Sequence, residues 1–256
     1  MNIFDKIIVN TTDQIIKGVN PYISYEQACQ LARLCEKDSI DILFGAHKIR
    51  QKYKKNGFTC SIINAKSGAC SENCAFCAQS AYHKTGISTY PLLERDKLVD
   101  SAISLYKAGA TRYSIVTSGF RLTAEEIERI SQTATTITEK TGLTLCTSLG
   151  TLTESMAERL KEGGVSIYHH NLETAASYFD QICTTHTYDD DIETIKLAKS
   201  AGLKVCSGGI LGMGETWEQR AELAFTLREL DVDSIPINFL NPIPGTRLEA
   251  MPPLQP

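Results

Sequence analysis

The sequence predicts an α/β protein, a TIM-type (β/α) barrel with a helical extension at its N-terminus. From Gly57 onward, short apolar runs alternate with amphipathic runs of helical periodicity. Six predicted strands alternate with five predicted helices, and such a succession forms a parallel sheet with right-handed crossovers. Residues 1–56 show helical periodicity alone. We therefore expect a helical N-terminal segment at 1–56 and a barrel domain at 57–256.

The predicted elements of the barrel follow from composition and periodicity. Strands are expected at residues 58–65, 112–117, 143–148, 165–170, 203–206 and 234–240. Helices are expected at residues 93–108, 123–140, 153–162, 190–201 and 215–230. A closed barrel needs eight strands, so six of eight units are predicted. An open sheet leaves unpaired edges, and we expect a chain of this length by itself to be poorly active.

Two capping boxes indicate where helices begin. Ser24-x-x-Gln27 precedes the second helix of the N-terminal segment, and Thr123-x-x-Glu126 precedes the helix after the second strand. In such a box the Ser or Thr side chain accepts a hydrogen bond from the backbone N–H of the Glu or Gln. The Glu or Gln side chain in turn accepts one from the backbone N–H of the Ser or Thr. Both helices are therefore expected to begin immediately after these residues.

Composition restricts the classes of function. The net charge of −4 and the isoelectric point near 5.8 argue against a nucleic-acid partner. No apolar run approaches the length of a membrane span, and residues 1–10 lack the features of a signal peptide. Without such a signal, nine cysteines indicate a reducing, cytoplasmic location. They are then expected to be thiols or metal ligands rather than disulfides.

Three cysteines form a C-x3-C-x2-C motif in the loop after the first predicted strand. Cys70, Cys74 and Cys77 are soft thiolate ligands, which at this spacing favour an iron–sulfur cluster. A 4Fe–4S cluster has four irons, so three local ligands leave one iron open to a small molecule. A zinc knuckle or unpaired core cysteines are the alternatives, but zinc sites more often use C-x2-C pairs. With Phe76 before the third cysteine, the motif resembles the signature of the radical S-adenosylmethionine superfamily.

Four further motifs lie at the ends of predicted strands. They are LCTSLG at 145–150, YHHNLET at 168–174, KVCSGGI at 204–210 and PINFLNP at 236–242. Together with the cysteine motif they resemble the biotin synthase family, over about residues 62–256. The resemblance implies a TIM barrel, usually a homodimer, that inserts sulfur into dethiobiotin. It also implies a 4Fe–4S cluster, S-adenosylmethionine, and an electron donor such as flavodoxin or ferredoxin.

The resemblance assigns roles to individual residues. It implies that Cys70, Cys74 and Cys77 hold the 4Fe–4S cluster. The residues implied to contact S-adenosylmethionine are Phe76, Asn171, Glu173, Gly208, Gly209 and Ile210. Among these, Glu173 is suited to accept from ribose hydroxyls, and the glycines permit close approach to the backbone. Asn238 would bond the ureido ring of the substrate. The alternatives are a solvated loop at 171–173 and a plain turn at 208–209.

The family's auxiliary 2Fe–2S cluster, held by three cysteines and an arginine, is matched only in part. Cys146 and Cys206 correspond to two of the cysteines, whereas Ser114 stands at the third position. Serine oxygen is a poorer iron ligand than thiolate. We expect Cys60 to compensate, because side chains of alternate strands form layers inside a TIM barrel. The auxiliary cluster is then expected to be 2Fe–2S or a variant. The alternative is that Cys60 is only a small apolar residue of the strand.

Other departures from the family pattern leave rival functions open. His169 replaces the family's usual asparagine, and His186 its usual arginine, whereas Cys183 is expected to pack in the loop after the fourth strand. Ser114 and the two histidines favour a related radical enzyme with one cluster and no sulfur transfer. A non-catalytic metal-binding module is the third possibility, which inability to cleave S-adenosylmethionine would favour.

Overall fold

The computed structural model describes residues 3–20, 22–35, 39–54 and 57–254. Within them, the helices are α1 (Ile3–Lys17), α2 (Tyr25–Cys35), α3 (Ser39–Tyr53), α4 (Arg95–Lys107), α5 (Ala124–Lys140), α6 (Glu154–Glu162), α7 (Ala176–Ile182), α8 (Tyr188–Ser200) and α9 (Trp217–Glu229). The strands are β1 (Cys60–Lys66), β2 (Arg112–Thr117), β3 (Thr144–Ser148), β4 (Ile167–His169), β5 (Lys204–Cys206), β6 (Gly209–Leu211) and β7 (Ile237–Phe239). No described helix has both the length and the apolar character needed to cross a bilayer.

The strands form a parallel sheet, as the alternating pattern predicts. Strands β1 to β5 pair in chain order, each parallel to the next. Strands β6 and β7 form a second parallel pair. Single backbone bridges, Cys206 to Ser234 and Glu173 to Gly209, connect the second pair to the end of the first sheet. The described residues thus build a curved parallel sheet with helices outside it, and no closed ring of strands is detected among them.

The outer face of the sheet carries the hydrophobic core. Tyr113 and Ile115 of β2, Leu145 of β3 and Ala65 of β1 are buried in this core, and Ile63 of β1 is partly buried against it. Successive side chains of a strand point to opposite faces. Residues that alternate with this outer set, such as Cys60 on β1 and Ser114 on β2, therefore face the inside of the curve. This alternation separates the side chains that stabilise the fold from those available for chemistry.

Of the N-terminal helices, α2 packs against α9. The rings of Tyr25 and Phe225 meet edge-to-face with centroids 5.2 Å apart, and Arg33 pairs with Glu218 at 3.0 Å. The reciprocal bonds between Ser24 and Gln27 are present, and so are those between Thr123 and Glu126, so both predicted capping boxes are confirmed. The predicted boundary at residue 56 lies outside the described residues.

Several predicted boundaries are wrong. The sequence pattern predicts no helix at the position of α7. The strand expected at 234–240 is regular only at Ile237–Phe239. Pro236 has no N–H to donate to a ladder, which explains the late start of β7. The strand expected at 203–206 is followed, after a break at Ser207 and Gly208, by β6.

The outer strands of the described sheet expose apolar side chains. Ile62 of β1 is 67% exposed and Phe239 of β7 is 68% exposed, although strand residues of this type are usually buried. No described strand pairs with the free side of β1 or of β7. The inside of the curve is therefore open to solvent on this side.

Candidate active site

A cavity of about 310 Å³ opens where the carboxyl ends of β1 to β4 meet. Parallel strands bring these ends to one edge of a sheet, so loops from different strands share the space. Val116 and Ser148, at or near the ends of β2 and β3, form part of its wall. The predicted site residues that line this cavity are Cys70, Cys74, Phe76, Cys77, Asn171 and Glu173.

The cysteine loop presents its three thiols to this one cavity. Backbone bonds fold it back on itself: the Cys77 N–H donates to the Cys74 carbonyl at 3.0 Å, and the Cys70 N–H to the Gln79 carbonyl at 3.0 Å. The Ala75 N–H donates to the Ile182 carbonyl at 2.8 Å, which attaches the loop to the end of α7. None of the eight cysteines whose side chains the structure describes forms a disulfide. The three thiols are thus available together as ligands.

Asn171 links two other predicted residues. Its Oδ1 accepts from the Gly208 N–H at 3.0 Å, and its Nδ2 donates to Glu173 Oε2 at 3.3 Å. Glu173 has a φ of 61°, in the left-handed region that non-glycine residues seldom adopt. Burial, and then the nearby charge of Asp191, raise the pKa of Glu173 to about 8. This strained backbone directs a carboxyl group into the cavity.

The two predicted glycines lie where backbones approach closely. A Cβ on Gly208 would lie 1.9 Å from the Pro236 carbonyl oxygen, and one on Gly209 would lie 2.5 Å from the Glu173 carbonyl oxygen. Any side chain at either position would therefore collide with main chain. Neither glycine lines the cavity. Their small size permits the close contact between loops, and the approach of a ligand to these glycines stays a prediction.

Two predicted apolar residues belong to one small cluster. Phe76 and Ile210 pack against a buried group that includes Ile182, Met213 and Leu240. Phe76 also lines the cavity, whereas Ile210 does not. Asn238 pairs with Ile210 across β6 and β7 but is exposed and lies outside the cavity lining. The structure thus brings Phe76 and Ile210 together and leaves Asn238 on the outer strand.

A buried polar network beside the cysteine loop escaped sequence reasoning. His186 Nδ1 lies 2.6 Å from Glu72 Oε2, and Thr185 Oγ1 donates to the same carboxylate oxygen at 2.6 Å. His186 Nε2 is 3.6 Å from Asp191 Oδ2, and Asp191 Oδ1 is 2.8 Å from His170 Nε2. The sequence signal is a histidine, which the structure places between α7 and α8, but its partner Glu72 is 114 positions away along the chain.

The electrostatics of this network favour a charged imidazole. Burial opposes the charge on His186, but contacts with Asp191, Cys183 and Glu72 outweigh burial and raise its pKa to about 11. Burial also opposes ionisation of Asp191, yet hydrogen bonds from His170 and His186 lower its pKa. Opposite charges held this close stabilise each other. The network therefore joins the cysteine loop to α8 through paired charges.

Cys183 lies closer to the cysteine loop than the sequence indicated. It is buried, as expected for a packing residue, but it also lines the cavity. Its Sγ is 3.8 Å from Cys74 Sγ and 3.3 Å from His186 Nδ1. The contact with Cys183 and burial raise the pKa of Cys74. Burial likewise raises the pKa of Cys77.

A second group of thiols lies on the inner face of the sheet. Ser114 and Cys146 are register partners on β2 and β3, and Cys206 is the partner of His169 on β5 and β4. Burial is the main cause that raises the pKa of Cys146 to about 12. The nearby Cys206 and Cys60 raise this pKa further, whereas a hydrogen bond with Ser114 lowers it. Cys60, Cys146 and Cys206 are thus near enough to influence one another electrostatically.

Arg112 is a second residue that sequence reasoning missed. It is the register partner of Cys60, and its positive charge opposes the raised pKa values of Cys60, Cys146 and Cys206. Its guanidinium lies 3.5 Å from the centre of the Phe58 ring. Arg112 belongs to no sequence motif, so only the strand register shows that it lies beside the thiols.

Comparison with known proteins identifies the family. The radical SAM superfamily model matches residues 65–227. A biotin synthase of Syntrophus aciditrophicus (strain SB) is 58% identical over 252 residues, which cover 96% of this chain and 78% of that relative. The chain belongs to the biotin synthase family. A biotin synthase of Nitratidesulfovibrio vulgaris (strain DP4) is 53% identical over 91% of this chain, which spans 65% of that relative.

Solved structures agree on the fold. The crystal structure of methylornithine synthase (PylB) has a TM-score of 0.72 at 20% identity, covering 97% of this chain and 70% of its own. The FeFe-hydrogenase maturase HydG from Carboxydothermus hydrogenoformans has a TM-score of 0.73 at 17% identity. The match covers 96% of this chain and 64% of the HydG chain. At these identities the likeness concerns the fold alone.

Membership of the biotin synthase family implies a 4Fe–4S cluster and S-adenosylmethionine as cofactors. The residues present suit both groups. Three unpaired thiols converge on one cavity, which is the donor set that iron–sulfur clusters use. The same cavity offers the carboxyl of Glu173 for hydroxyls and the ring of Phe76 for a flat base. Thr117 Oγ1, in the cavity wall, has no hydrogen-bond partner within the described residues and can bond a ligand.

Proposed function

We propose that this chain catalyses the radical insertion of sulfur into dethiobiotin, as a biotin synthase. The observation that carries the proposal is the presence of two separate thiol groups, one on the loop at the strand ends and one on the inner face of the sheet. Cys70, Cys74 and Cys77 line the cavity at the strand ends, and a second set comprises Cys146, Cys206 and Cys60. Sulfur insertion needs both a source of radicals and a source of sulfur. A single group of thiols would supply only the first.

In the proposed mechanism, the residues of the cavity hold and orient S-adenosylmethionine. Cys70, Cys74 and Cys77 would hold the 4Fe–4S cluster, which when bound supplies the electron that splits the sulfonium. Glu173, positioned by Asn171, would accept hydrogen bonds from the ribose hydroxyls. Phe76 would provide an apolar contact for the adenine, with Ile210 in the apolar cluster that supports it. Fixing the reacting groups and excluding water is the contribution of the protein.

The second thiol group would hold the source of sulfur. We assign Cys60, Cys146 and Cys206 to an auxiliary iron–sulfur cluster, 2Fe–2S or a variant, with Ser114 as the weaker candidate ligand. Arg112 supports this assignment, because a cation beside three thiols favours their ionised, metal-binding form. Asn238 would contact the ureido ring of dethiobiotin. Gly208 and Gly209 would keep the loops near S-adenosylmethionine close together.

The wider organisation follows from the same proposal. Residues 57–256 would form the catalytic domain, and residues 1–56 a helical segment packed against it. The partners would be dethiobiotin, an electron donor such as flavodoxin or ferredoxin, and a second copy of the chain in a homodimer. Free thiols and iron–sulfur clusters require a reducing compartment, which supports the cytoplasm as the location.

One observation favours a second candidate, a related radical enzyme that transfers no sulfur. Ser114 occupies the strand position at which the sequence pattern of the family has a cysteine. If no auxiliary cluster forms, the cavity cysteines would still permit cleavage of S-adenosylmethionine.

The deciding experiment combines cluster analysis with turnover. The protein is reconstituted anaerobically, its iron and sulfide are counted, its clusters are typed by Mössbauer spectroscopy, and it is then assayed with dethiobiotin. Two clusters and biotin formation are expected. One cluster with cleavage of S-adenosylmethionine but no biotin would favour the second candidate. Failure to cleave S-adenosylmethionine would favour a non-catalytic metal-binding module.

A further inference from the structure

Three side chains beside the cavity converge on one point from two loops, and a fourth lies next to one of them. Glu72 and Cys74 come from the cysteine loop, and Cys183 and His186 come from the segment between α7 and α8. The carboxylate of Glu72, the thiol of Cys183 and the imidazole of His186 each offer an atom within 4.8 Å of the others. Cys74 Sγ lies outside this group of three but only 3.8 Å from Cys183 Sγ, so it is the candidate fourth donor.

The two distances that involve Cys183 resemble the edges of a tetrahedral zinc site. Zinc bonds of about 2.3 Å to sulfur give a sulfur–sulfur edge of about 3.8 Å, and mixed sulfur–nitrogen edges of about 3.6 Å. The Cys74–Cys183 pair is at 3.8 Å and the Cys183–His186 pair at 3.3 Å. The 2.6 Å contact between His186 and Glu72 must widen to about 3.4 Å for both to bind one ion.

The surroundings orient the donors in the way that zinc sites require. A zinc-bound histidine usually gives its second nitrogen to a carboxylate. With Nδ1 of His186 toward the donors, its Nε2 faces Asp191 Oδ2 at 3.6 Å, and Asp191 is itself held by His170 at 2.8 Å. Thr185 Oγ1 donates to Glu72 at 2.6 Å and fixes that carboxylate. The cavity provides a path for an ion to enter.

We propose that Glu72, Cys74, Cys183 and His186 form a divalent metal site of zinc type, which shares Cys74 with the cysteine motif. Because one thiolate cannot complete both sites, zinc binding and assembly of an iron–sulfur cluster on Cys70, Cys74 and Cys77 exclude each other. The metal site itself does not depend on the proposed function; only the exclusion does, because it rests on the cluster assignment.

The test compares two cysteine variants that separate the sites. Cluster-free protein, kept anaerobic and reduced, is titrated with Zn²⁺ against a chromophoric chelator, and with Co²⁺ as a spectroscopic substitute. One zinc per chain and the visible absorption of tetrahedral thiolate-bound cobalt are expected. Cys183→Ala should weaken zinc binding by at least about 100-fold, more than the loss of an outer contact usually costs. Cys70→Ala, the matched control, should change zinc affinity by less than about 3-fold, because Cys70 is not a donor of this site.

A second arm measures cluster assembly. Cys183→Ala should assemble a 4Fe–4S cluster, counted by iron and sulfide, whereas one equivalent of Zn²⁺ should block assembly in the unaltered chain but not in this variant. His186→Gln should repeat the zinc result of Cys183→Ala, and circular dichroism checks that each variant is folded. Equal loss of zinc in Cys70→Ala and Cys183→Ala would place zinc on the cysteine motif and overturn the proposal. A cluster that fails to form even without zinc would instead contradict the proposed function.

Discussion

Ser114 on β2 and Cys146 on β3 are direct partners in the parallel sheet, and their side chains hydrogen-bond on its inner face. Ser114 therefore occupies the position from which a cysteine thiol would join Cys146 as a ligand of the auxiliary cluster. On the far side of Ser114, β1 supplies Cys60 to the same face. This relationship makes the ligand set of the auxiliary cluster testable.

Cys60→Ala is expected to remove the auxiliary cluster and biotin formation while reductive cleavage of S-adenosylmethionine continues. The reason is that thiolate binds iron better than a serine oxygen. Iron and sulfide counts, with Mössbauer spectra, measure the cluster content. Ser114→Ala is the matched control and should keep both clusters. If Ser114→Ala loses the second cluster and Cys60→Ala keeps it, serine is the ligand and the assignment of Cys60 is wrong.

Alanine at Cys70, Cys74 or Cys77 should abolish reductive cleavage of S-adenosylmethionine. Each substitution removes one of three thiol ligands that line the same cavity, and no replacement ligand lies in the motif. Product analysis under anaerobic conditions with dithionite measures the cleavage. Cys29→Ala, in helix α2 and outside both thiol groups, is the control and should cleave normally. Cleavage at the unaltered rate in any of the three cavity variants would contradict the cluster assignment.

Glu173→Ala should weaken binding of S-adenosylmethionine by about 1–3 kcal/mol, the usual effect of losing a buried hydrogen-bonding partner. Asn171→Ala should act in the same direction, because Asn171 holds Glu173 and the Gly208 N–H in place. Isothermal titration with reconstituted protein gives the dissociation constants. The same substitution at the exposed Glu193 of α8, outside the cavity lining, provides the control. A dissociation constant that does not respond to Glu173→Ala would show that the carboxyl does not contact the ligand.

His169→Asn should flatten the dependence of stability on pH in mildly acidic solution. Burial lowers the pKa of His169 to about 4, compared with an ordinary value of 6.5. Between these values the unfolded chain binds more protons than the folded chain, so the free energy of unfolding rises with pH. That gain is complete above the unfolded value and is lost as the pH falls toward 4.

Urea denaturation at several pH values between 4 and 7 measures this effect. The unaltered chain should lose stability toward pH 4 more steeply than the His169→Asn variant. His47→Asn, at an exposed position on α3, serves as the control and should follow the unaltered chain. Parallel stability profiles for all three proteins would show that His169 is not buried in its neutral form.

Gly208→Ala should destabilise the fold by about 1–3 kcal/mol, the usual cost of overpacking. The added methyl group would lie 1.9 Å from the Pro236 carbonyl oxygen, so β7 must shift away from β5 and β6. Thermal unfolding and the affinity for S-adenosylmethionine report the two consequences. Gly142→Ala meets only the Tyr106 ring, at 3.6 Å, and should be tolerated. Equal stability of the two variants would mean that the close contact at Gly208 is not rigid.

The sequence by itself determined the parallel α/β architecture, the helical N-terminal segment and the family. These follow from local information: the alternation of apolar and amphipathic runs, the capping boxes at Ser24 and Thr123, and the spacing of three cysteines within eight residues. A ligand set carried on one loop is visible in the sequence because its members are neighbours along the chain.

Only the tertiary structure decided which distant residues share a site. The contacts of His186 with Glu72 and of Cys183 with Cys74 join segments more than 100 positions apart, and Arg112 reaches the second thiol group through strand register. The exposure of Asn238 and the backbone contact at Gly208 likewise depend on how β7 lies against β6. Neither periodicity nor spacing encodes such contacts, because they arise from the relative placement of loops that the folded sheet brings to one edge.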